Sequence, residues 1–495
     1  MRSTHRKRHQ SEPDSALLKK HNTTFKGDVI RLLSGTSLAQ IISLLAAPIL
    51  TRLYAPEAFG IYALFASIIG IFSVLACMRY ELSILLPDND REAANLLAVS
   101  FTFAVLTTLL ALPLVWYGSS YILIWLKTPE LAPYLWLVPV VMLVSGIFMA
   151  LNSWNTRTKH FTRLSIARII GALANTSGSL GAGFANHATS GALIVASLCG
   201  QAVATTVLSS QIWRDNGQFL VDNITLKEMW TGIKRYHKFP LYSSWSSLLN
   251  MFSLMAPILM FGAFFSSAIA GFYVLGFRVL QTPLVLVSGA LSEVFYQRAS
   301  LARLDGTLPS LVKDLFRRLL LVGLLPCLIL TITGKDLFTL AFGINWAEAG
   351  FYTQLLAPWI LVWFVSSSLS TVYIVLEQQQ LEPIIQGTLF LNRVVALAIG
   401  GYIGEARLAV LFFSFGSVVA YAYLLKVILN CVGLSILTVL REQSDIIYIN
   451  CLFVAPIALV KILDISIVYN LVFIVFLFGL YFFTQRTKLF SSSII

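Results

Sequence analysis

A chain of 495 residues that is 57% hydrophobic and only 12% charged, with a mean hydropathy of +0.79, lies outside the usage of soluble domains, where about 25% of residues are charged. Its length therefore counts membrane spans rather than globular domains. A net charge of +12 and a pI near 9.5 would point to nucleic acid in a soluble protein, but here the charges sort by loop, and no nucleic-acid partner is implied.

Residues 1–31 form a polar, strongly basic tail (Arg2, Arg6, Lys7, Arg8, Lys19, Lys20, Lys26, Arg31). It lacks the short apolar core and small-residue cleavage site of a signal peptide. A helix needs roughly 20 apolar residues to cross the hydrocarbon, and on that measure the apolar runs predict six spans near 32–50, 59–78, 94–116, 134–152, 165–186 and 190–211. A polar connection, 213–238, leads to a second six near 240–262, 268–291, 317–334, 350–376, 384–403 and 407–430. Two more candidates, near 446–461 and 466–484, form a C-terminal helix pair within 445–485. The expected count is about 14, or 12 plus a re-entrant pair. Continuous apolar runs, rather than short alternating segments, decide for helices over a barrel, so the fold class is all-α integral membrane.

With the amino terminus inside, alternate loops collect most of the Lys and Arg, whereas the opposite loops hold Arg52, Lys127, Lys335, Arg407 and Lys461. This asymmetry sets both termini in the cytoplasm. The five cysteines lie in or at the ends of apolar stretches and form no CxxC pair, which argues against a disulfide framework or a zinc site.

A weak internal repeat links the halves. Ala47 to Leu50 and Ala256 to Leu259 both read APIL, and Gly60 and Tyr62 match Gly271 and Tyr273 after a small loop difference. Six helices per repeat is an even number, so lobes 32–212 and 239–432 enter the membrane in one orientation. That predicts a pseudo-two-fold along the membrane normal and two facing bundles around a central cavity.

Two cations, Arg278 and Arg393, fall inside predicted spans. Such a charge costs about 2.5 to 3.5 kcal/mol on insertion scales, so both are expected to face a water-filled interior and an anion. The competing reading is a structural arginine paired to a carbonyl. Arg278 shares a helical stripe with Gln281, Ser288 and Ser292, and Arg393 shares one with Gln386 and Gly400. A guanidinium suits a diphosphate because its fork donates paired hydrogen bonds and stays charged when desolvated. On the first helix of the second half, Ser243, Ser246, Asn250, Ser253 and Pro257 recur at helical spacing beside Tyr242 and Trp245. That face suits sugars, or simply close helix packing. The stripe Ser165, Arg168, Ala172, Asn175 and Ser179 reads more readily as packing, with Arg168 placed to meet a substrate. Glu81 and Glu293 occupy near-equivalent positions in the two halves and are candidates for a coupling switch, unless each only pairs with Arg79 or Arg298.

Enzyme signals are thin. No GxxxxGK[ST] phosphate loop, HExxH or GxSxG is present, and the Asp88, Asn89, Asp90 run reads as a helix-capping loop rather than a metal site. No catalytic residue and no metal site is assigned.

Several segments resemble one family, the Wzx-type oligosaccharide flippases, in the superfamily that also holds the multidrug and lipid II exporters. The most specific are the RYE-x-x-I-x-LP run (Arg79, Tyr80, Glu81, Ile84, Leu86, Pro87) and the run SEVFYQRA from Ser292; others begin at Leu151, Phe239 and Ala341. The resemblance implies a two-lobed, MATE-like, alternating-access transporter in the bacterial inner membrane. It would move an undecaprenyl-diphosphate-linked oligosaccharide outward through a cationic cavity, for O-antigen, capsule or exopolysaccharide synthesis. It implies no cofactor, a coupling ion of either kind, H+ or Na+, and as partners membrane lipids, a polysaccharide polymerase and chain-length proteins. The basic tail is longer than the family pattern and suits a partner or anionic lipid. Related exporters of lipid II, teichoic acid precursors or drugs remain the runner-up. A membrane polymerase or ligase is the rival from another class, but its catalysis needs a large external loop, and the long connections here are on the cytoplasmic side.

The loop asymmetry predicts that a cysteine placed at Gly217, or a tag at Ile495, is inaccessible to an impermeant reagent in intact cells; labelling at either position shifts the helix count by one.

Overall fold

Van der Waals contact and internal hydrogen bonding are what hold helices together in lipid, and both are met here by helices alone. The computed structural model describes residues 35–378 and 381–463, with Leu477, Gly479 and Tyr481 beyond them. The basic tail 1–31 and, apart from those three residues, the candidate span near 466–484 lie outside the described residues.

Among the described residues the long elements are α1 (Gly35–Leu53), α2 (Pro56–Ser73), α3 (Asp90–Leu126), α4 (Leu137–Arg157), α5 (Phe161–Phe184), α6 (Ser190–Asn223), α7 (Leu226–Arg235), α8 (Ser244–Phe264), α9 (Ser267–Leu304), α10 (Leu308–Phe342), α11 (Ala347–Leu369), α12 (Leu381–Ile403), α13 (Ala406–Cys431) and α14 (Ser444–Ile462). Eleven helices are long and apolar enough to cross a membrane. The chain is a multi-pass membrane protein. Two further helices, α5 with 24 residues and α12 with 23, are long enough but more polar, because they carry Arg163, Arg168 and Asn175 or Gln386, Asn392 and Arg393.

Several helices outrun the bilayer. At 1.5 Å per residue the 37 residues of α3 extend about 55 Å, against a hydrocarbon core of about 30 Å. The polar connection 213–238 is accordingly helical in large part: α6 runs on to Asn223, and α7 follows at once. α7 is clamped to the start of α3 by ion pairs of Arg91 with Glu228 and of Arg235 with Glu92, each 2.9 Å. The Asp88–Asp90 run acts as a cap, the Asn89 side-chain oxygen accepting from the Arg91 amide at 2.6 Å.

One apolar core runs from Ile61, Leu64 and Phe65 of α2 to Phe413 and Leu424 of α13, and a second gathers Cys77, Tyr80, Trp154 and Leu208 where α2 turns toward α3. The halves meet where α2 crosses α9. The two glycines that the internal repeat equates stand at this crossing: a Cβ on Gly60 would lie 1.7 Å from the Ser267 carbonyl oxygen, and one on Gly271 2.4 Å from the Pro56 carbonyl oxygen. Only hydrogen fits at either point. The same end is closed by the Trp346 indole, which donates to the Thr51 carbonyl at 2.8 Å and packs edge-on against Phe59, and by Arg52, which donates to the Leu340 carbonyl at 3.1 Å.

Gly60→Ala forces the helices apart and is expected to cost about 1 to 3 kcal/mol as overpacking, visible as a lower thermal midpoint in detergent. Gly118→Ala, with no heavy atom within 4 Å of its Cβ, leaves the midpoint unchanged; equal behaviour of the two variants contradicts the crossing.

Candidate functional site

A cavity of about 330 Å³ opens between α1, α5, α6 and α9. Its wall depends on a second close approach: Cβ atoms on Gly171 and Gly200 would lie 2.9 and 2.7 Å from each other's carbonyl oxygens, so α5 and α6 touch along their backbones. Arg168 and Asn175, one turn to either side of Gly171 on α5, and Gln201, next to Gly200 on α6, then border the space, with Gln40 and Ser43 from α1. Arg278 enters from the other half. It lies seven residues after Gly271, two helical turns along the same face of α9, so the crossing that buries Gly271 against α2 also aims Arg278 toward the first half.

The electrostatics are one-sided. Among the described residues, no Asp or Glu lines the cavity. Arg168 donates to the Thr36 hydroxyl and, at 3.2 Å, to the Asn152 side-chain oxygen, both neutral acceptors. The Arg278 guanidinium has no hydrogen-bond or ion-pair partner among the described residues, and only its backbone carbonyl is engaged, by the Thr282 hydroxyl at 2.7 Å. Two cations, one without a counter-charge among the described residues and one held by dipoles, thus share a space lined otherwise by amides, hydroxyls, small residues and Phe148.

The other residues expected from the sequence are placed elsewhere. Arg393 is half-buried and ties three helices together, reaching the Ser253 carbonyl and hydroxyl at 3.4 Å and the Tyr421 hydroxyl at 3.5 Å; it does not line the cavity with Arg278. Tyr242, Trp245 and Asn250 are exposed at the start of α8 and its preceding turn. Gln281 is half-buried one turn beyond Arg278, and Ser288 hydrogen-bonds Ser368 at 2.8 Å, a packing contact between α9 and α11. From the stripe on α5, Arg168, Ala172 and Asn175 reach the cavity, whereas Ser165 and Ser179 are buried, the Ser179 carbonyl accepting from Tyr54 at 2.7 Å. Gln40 and Gln201 were not singled out in the sequence. Their only signal is a carboxamide alone in an apolar run, which is costly in lipid unless it faces protein or water.

Glu81 sits at the strained corner after α2. Met78 and Arg79 both adopt left-handed backbone conformations, with φ of 49° and 63°, which non-glycine residues hold at a cost and only where their surroundings enforce it. The enforcing contacts are the Cys77 thiol donating to the Gly146 carbonyl at 3.2 Å, the Tyr80 hydroxyl donating to the Ile233 carbonyl at 3.2 Å, and Tyr80 stacked on Phe103. Arg157 closes the run by donating to the Pro87 carbonyl at 2.6 Å and pairing with Asp90 at 2.9 Å. The Glu81 side chain is 2% exposed; its one ionic contact is Arg79 at 3.4 Å, and its second carboxylate oxygen and the Arg79 Nε are buried without partners. Glu293 lies on α9 with its side chain outside the described residues.

A family profile described as "Polysaccharide biosynthesis protein" matches residues 49–350, which include Gly60, Glu81, Arg168 and Arg278. The chain belongs to this family. Among solved structures, the inward closed conformation of the lipid II flippase MurJ is similar over 93% of this chain and 98% of its own, with a TM-score of 0.71 at 12% identity. An inward-facing multidrug resistance MATE transporter of the MOP superfamily gives a TM-score of 0.52 at 13% identity, over 84% of this chain and 94% of that one. A MOP superfamily transporter from Pyrococcus furiosus gives 0.51 at 14% identity, over 85% and 96%. No curated protein matches the sequence. This member of the polysaccharide biosynthesis family therefore has the MurJ and MATE fold.

Burial is the main influence on the Glu81 carboxyl and pushes its pKa above the ordinary 4.5, with Arg79 pulling only partly against it. The neutral acid is thus the form the fold favours, so this group's contribution is full in acid and is lost as pH rises from the ordinary carboxylate range through the raised folded value. Glu81→Gln is expected to flatten that dependence and to raise the thermal midpoint at neutral pH relative to the unaltered protein, with the gain shrinking in acid. A gain that grows in acid contradicts the assignment.

Proposed function

We propose that the chain is a transporter that flips an undecaprenyl-diphosphate-linked oligosaccharide from the cytoplasmic to the outer leaflet of the bacterial plasma membrane by alternating access, and that it is not an enzyme. The observation that carries this reading is the Arg278 guanidinium, without a counter-charge among the described residues, beside Arg168 in a cavity that none of their carboxylates lines. A diphosphate moved through hydrocarbon needs compensating cations along its path. A guanidinium can offer it paired, charge-assisted hydrogen bonds. Membership of a polysaccharide biosynthesis family supports a saccharide cargo, and the fold shared with a lipid II flippase supports a lipid-linked one.

The runner-up readings, exporters of drugs, lipid II or teichoic acid precursors, divide on charge. An acid-free, doubly cationic cavity disfavours cationic drugs, whereas the other two cargoes differ from the proposed one in the saccharide rather than in the anionic head. Within the proposal, Arg278 and Arg168 receive the diphosphate, and Tyr242, Trp245 and Asn250 border the approach along α8. Arg393, already shared among three helices, braces the second half in this state. Glu81, with Glu293 as its counterpart, is the candidate to exchange partners as the halves move, with H+ or Na+ as the coupling ion. Polysaccharide polymerase and chain-length proteins are the partners this role would bring.

Arg278→Ala is expected to insert at normal abundance and to lower polysaccharide export at least about tenfold, the scale of losing charge-assisted hydrogen bonds. Arg278→Lys should keep part of the activity, since charge remains but the fork is lost. Arg393→Ala should instead lower the amount of folded protein. Export at the unaltered level by correctly inserted Arg278→Ala would show that the cargo binds elsewhere.

A further inference from the structure

A phosphate needs only donors, which arginines supply in surplus. The remaining polar lining of the cavity is of another kind. Gln40, Asn175 and Gln201 each carry a carboxamide, two donors and an acceptor on one planar group. None of the three side chains makes a hydrogen bond among the described residues. The Gln40 side-chain oxygen is buried without any partner. An unspent acceptor of this sort is costly unless something donates to it. Ser43 on α1 and Ser197 on α6 add hydroxyls to the lining, Ser197 already accepting from Tyr62 at 3.3 Å.

A group that both donates and accepts at several points around a ring is a polyol. We infer that Gln40, Asn175 and Gln201 form a sugar-reading set that takes the uncharged ring attached directly to the diphosphate, and that these residues, rather than the arginines, determine which saccharide is accepted. The inference rests on the diphosphate reading of Arg168 and Arg278, which fixes the ring beside them. The cavity, at about 330 Å³, has the volume of many waters, so a ring seated beside the arginines has room within it. The three carboxamides stand on three helices, α1, α5 and α6, so a ring in the cavity would meet them from more than one helix. All three belong to the first half, whereas Arg278 comes from the second.

The test uses the purified full-length protein in nanodiscs and measures the affinity of bare farnesyl diphosphate and of farnesyl diphosphate bearing one hexose, one N-acetylhexosamine or one 6-deoxyhexose. At least one glycosylated probe is expected to bind about tenfold or more tightly than the bare one, the scale of one or two well-placed hydrogen bonds. Gln40→Leu, Asn175→Ala and Gln201→Leu together should collapse that ratio to near one while leaving the bare probe's affinity unchanged. Binding of the bare probe also reports a folded site; where the triple variant loses it, the single variants are measured, each expected to lower the ratio by about threefold or more. Glycosylated probes that bind the unaltered protein no better than the bare one, or a ratio that survives the substitutions, overturn the sugar-reading role. Bare-probe affinity indifferent to Arg278→Ala overturns the diphosphate reading on which that role stands.

Discussion

At the crossing of α2 and α9 a Cβ on Gly60 would lie 1.7 Å from the Ser267 carbonyl oxygen, so the two halves touch backbone to backbone rather than through side chains. In lipid there is no hydrophobic drive to bring helices together, and close approach at small residues supplies the contact instead. Much of the architecture follows from that point. Trp346 and Arg52 reach across to carbonyls of the opposite half at the same end. Two turns further along α9, the face that carries Gly271 carries Arg278, and the cavity lies where that face meets α1, α5 and α6. The position of the interior cation is therefore a consequence of the packing point rather than of a local motif.

Charge in this protein is arranged by depth. Toward the helix ends several cations are matched by acids, as in Arg157 with Asp90, Arg317 with Asp445, Lys461 with Asp336 and the two-pronged Arg407 with Glu348. Exposed pairs of this kind contribute little to stability individually, but they leave no net charge seeking a partner. Inside the bundle the pattern changes: Arg393 and Arg168 are held by hydroxyls, a carbonyl and an amide oxygen, and Arg278 by nothing among the described residues. A guanidinium held by dipoles keeps its full charge for a ligand, whereas one neutralised by a carboxylate does not.

The helices were legible because a bilayer imposes a length and an apolar average that a sequence shows directly; the recurrence of APIL and the following glycine suggests two related halves, and the glycines it equates, Gly60 and Gly271, stand together at the crossing of α2 and α9. The ends were less legible, since α6 and α3 continue past the membrane in polar sequence that reads as connection. Arg278 stood out as a charge within an apolar run. What the sequence could not show was its company: Arg168 lies on a stripe that reads as packing, and two of its five residues, Ser165 and Ser179, are buried, while Gln40 and Gln201 are single amides whose neighbours come from helices far away in the chain. The burial of Glu81 was equally hidden, because a carboxylate beside an arginine near a helix end reads as an ordinary exposed pair; only the left-handed turn at Met78 and Arg79 and the fold of Tyr80 onto α7 take it out of water.

The two cavity arginines come from different halves, Arg168 from α5 and Arg278 from α9, and this has a consequence for how a cargo could act on the protein. A ligand shifts a conformational equilibrium only by the difference in its affinity for the two states. A diphosphate bound by one half alone would move with that half and favour neither state. One held by both arginines binds best in whichever state brings them to a common distance, so rocking about the α2 and α9 crossing changes its affinity directly. Unliganded, two like charges in one cavity would repel each other, which would oppose a state that draws them together; a bound dianion would reverse the sign of that term. On the proposed function, placing one cation on each side of the backbone contact would link occupancy of the cavity to the relative position of the halves without any further relay.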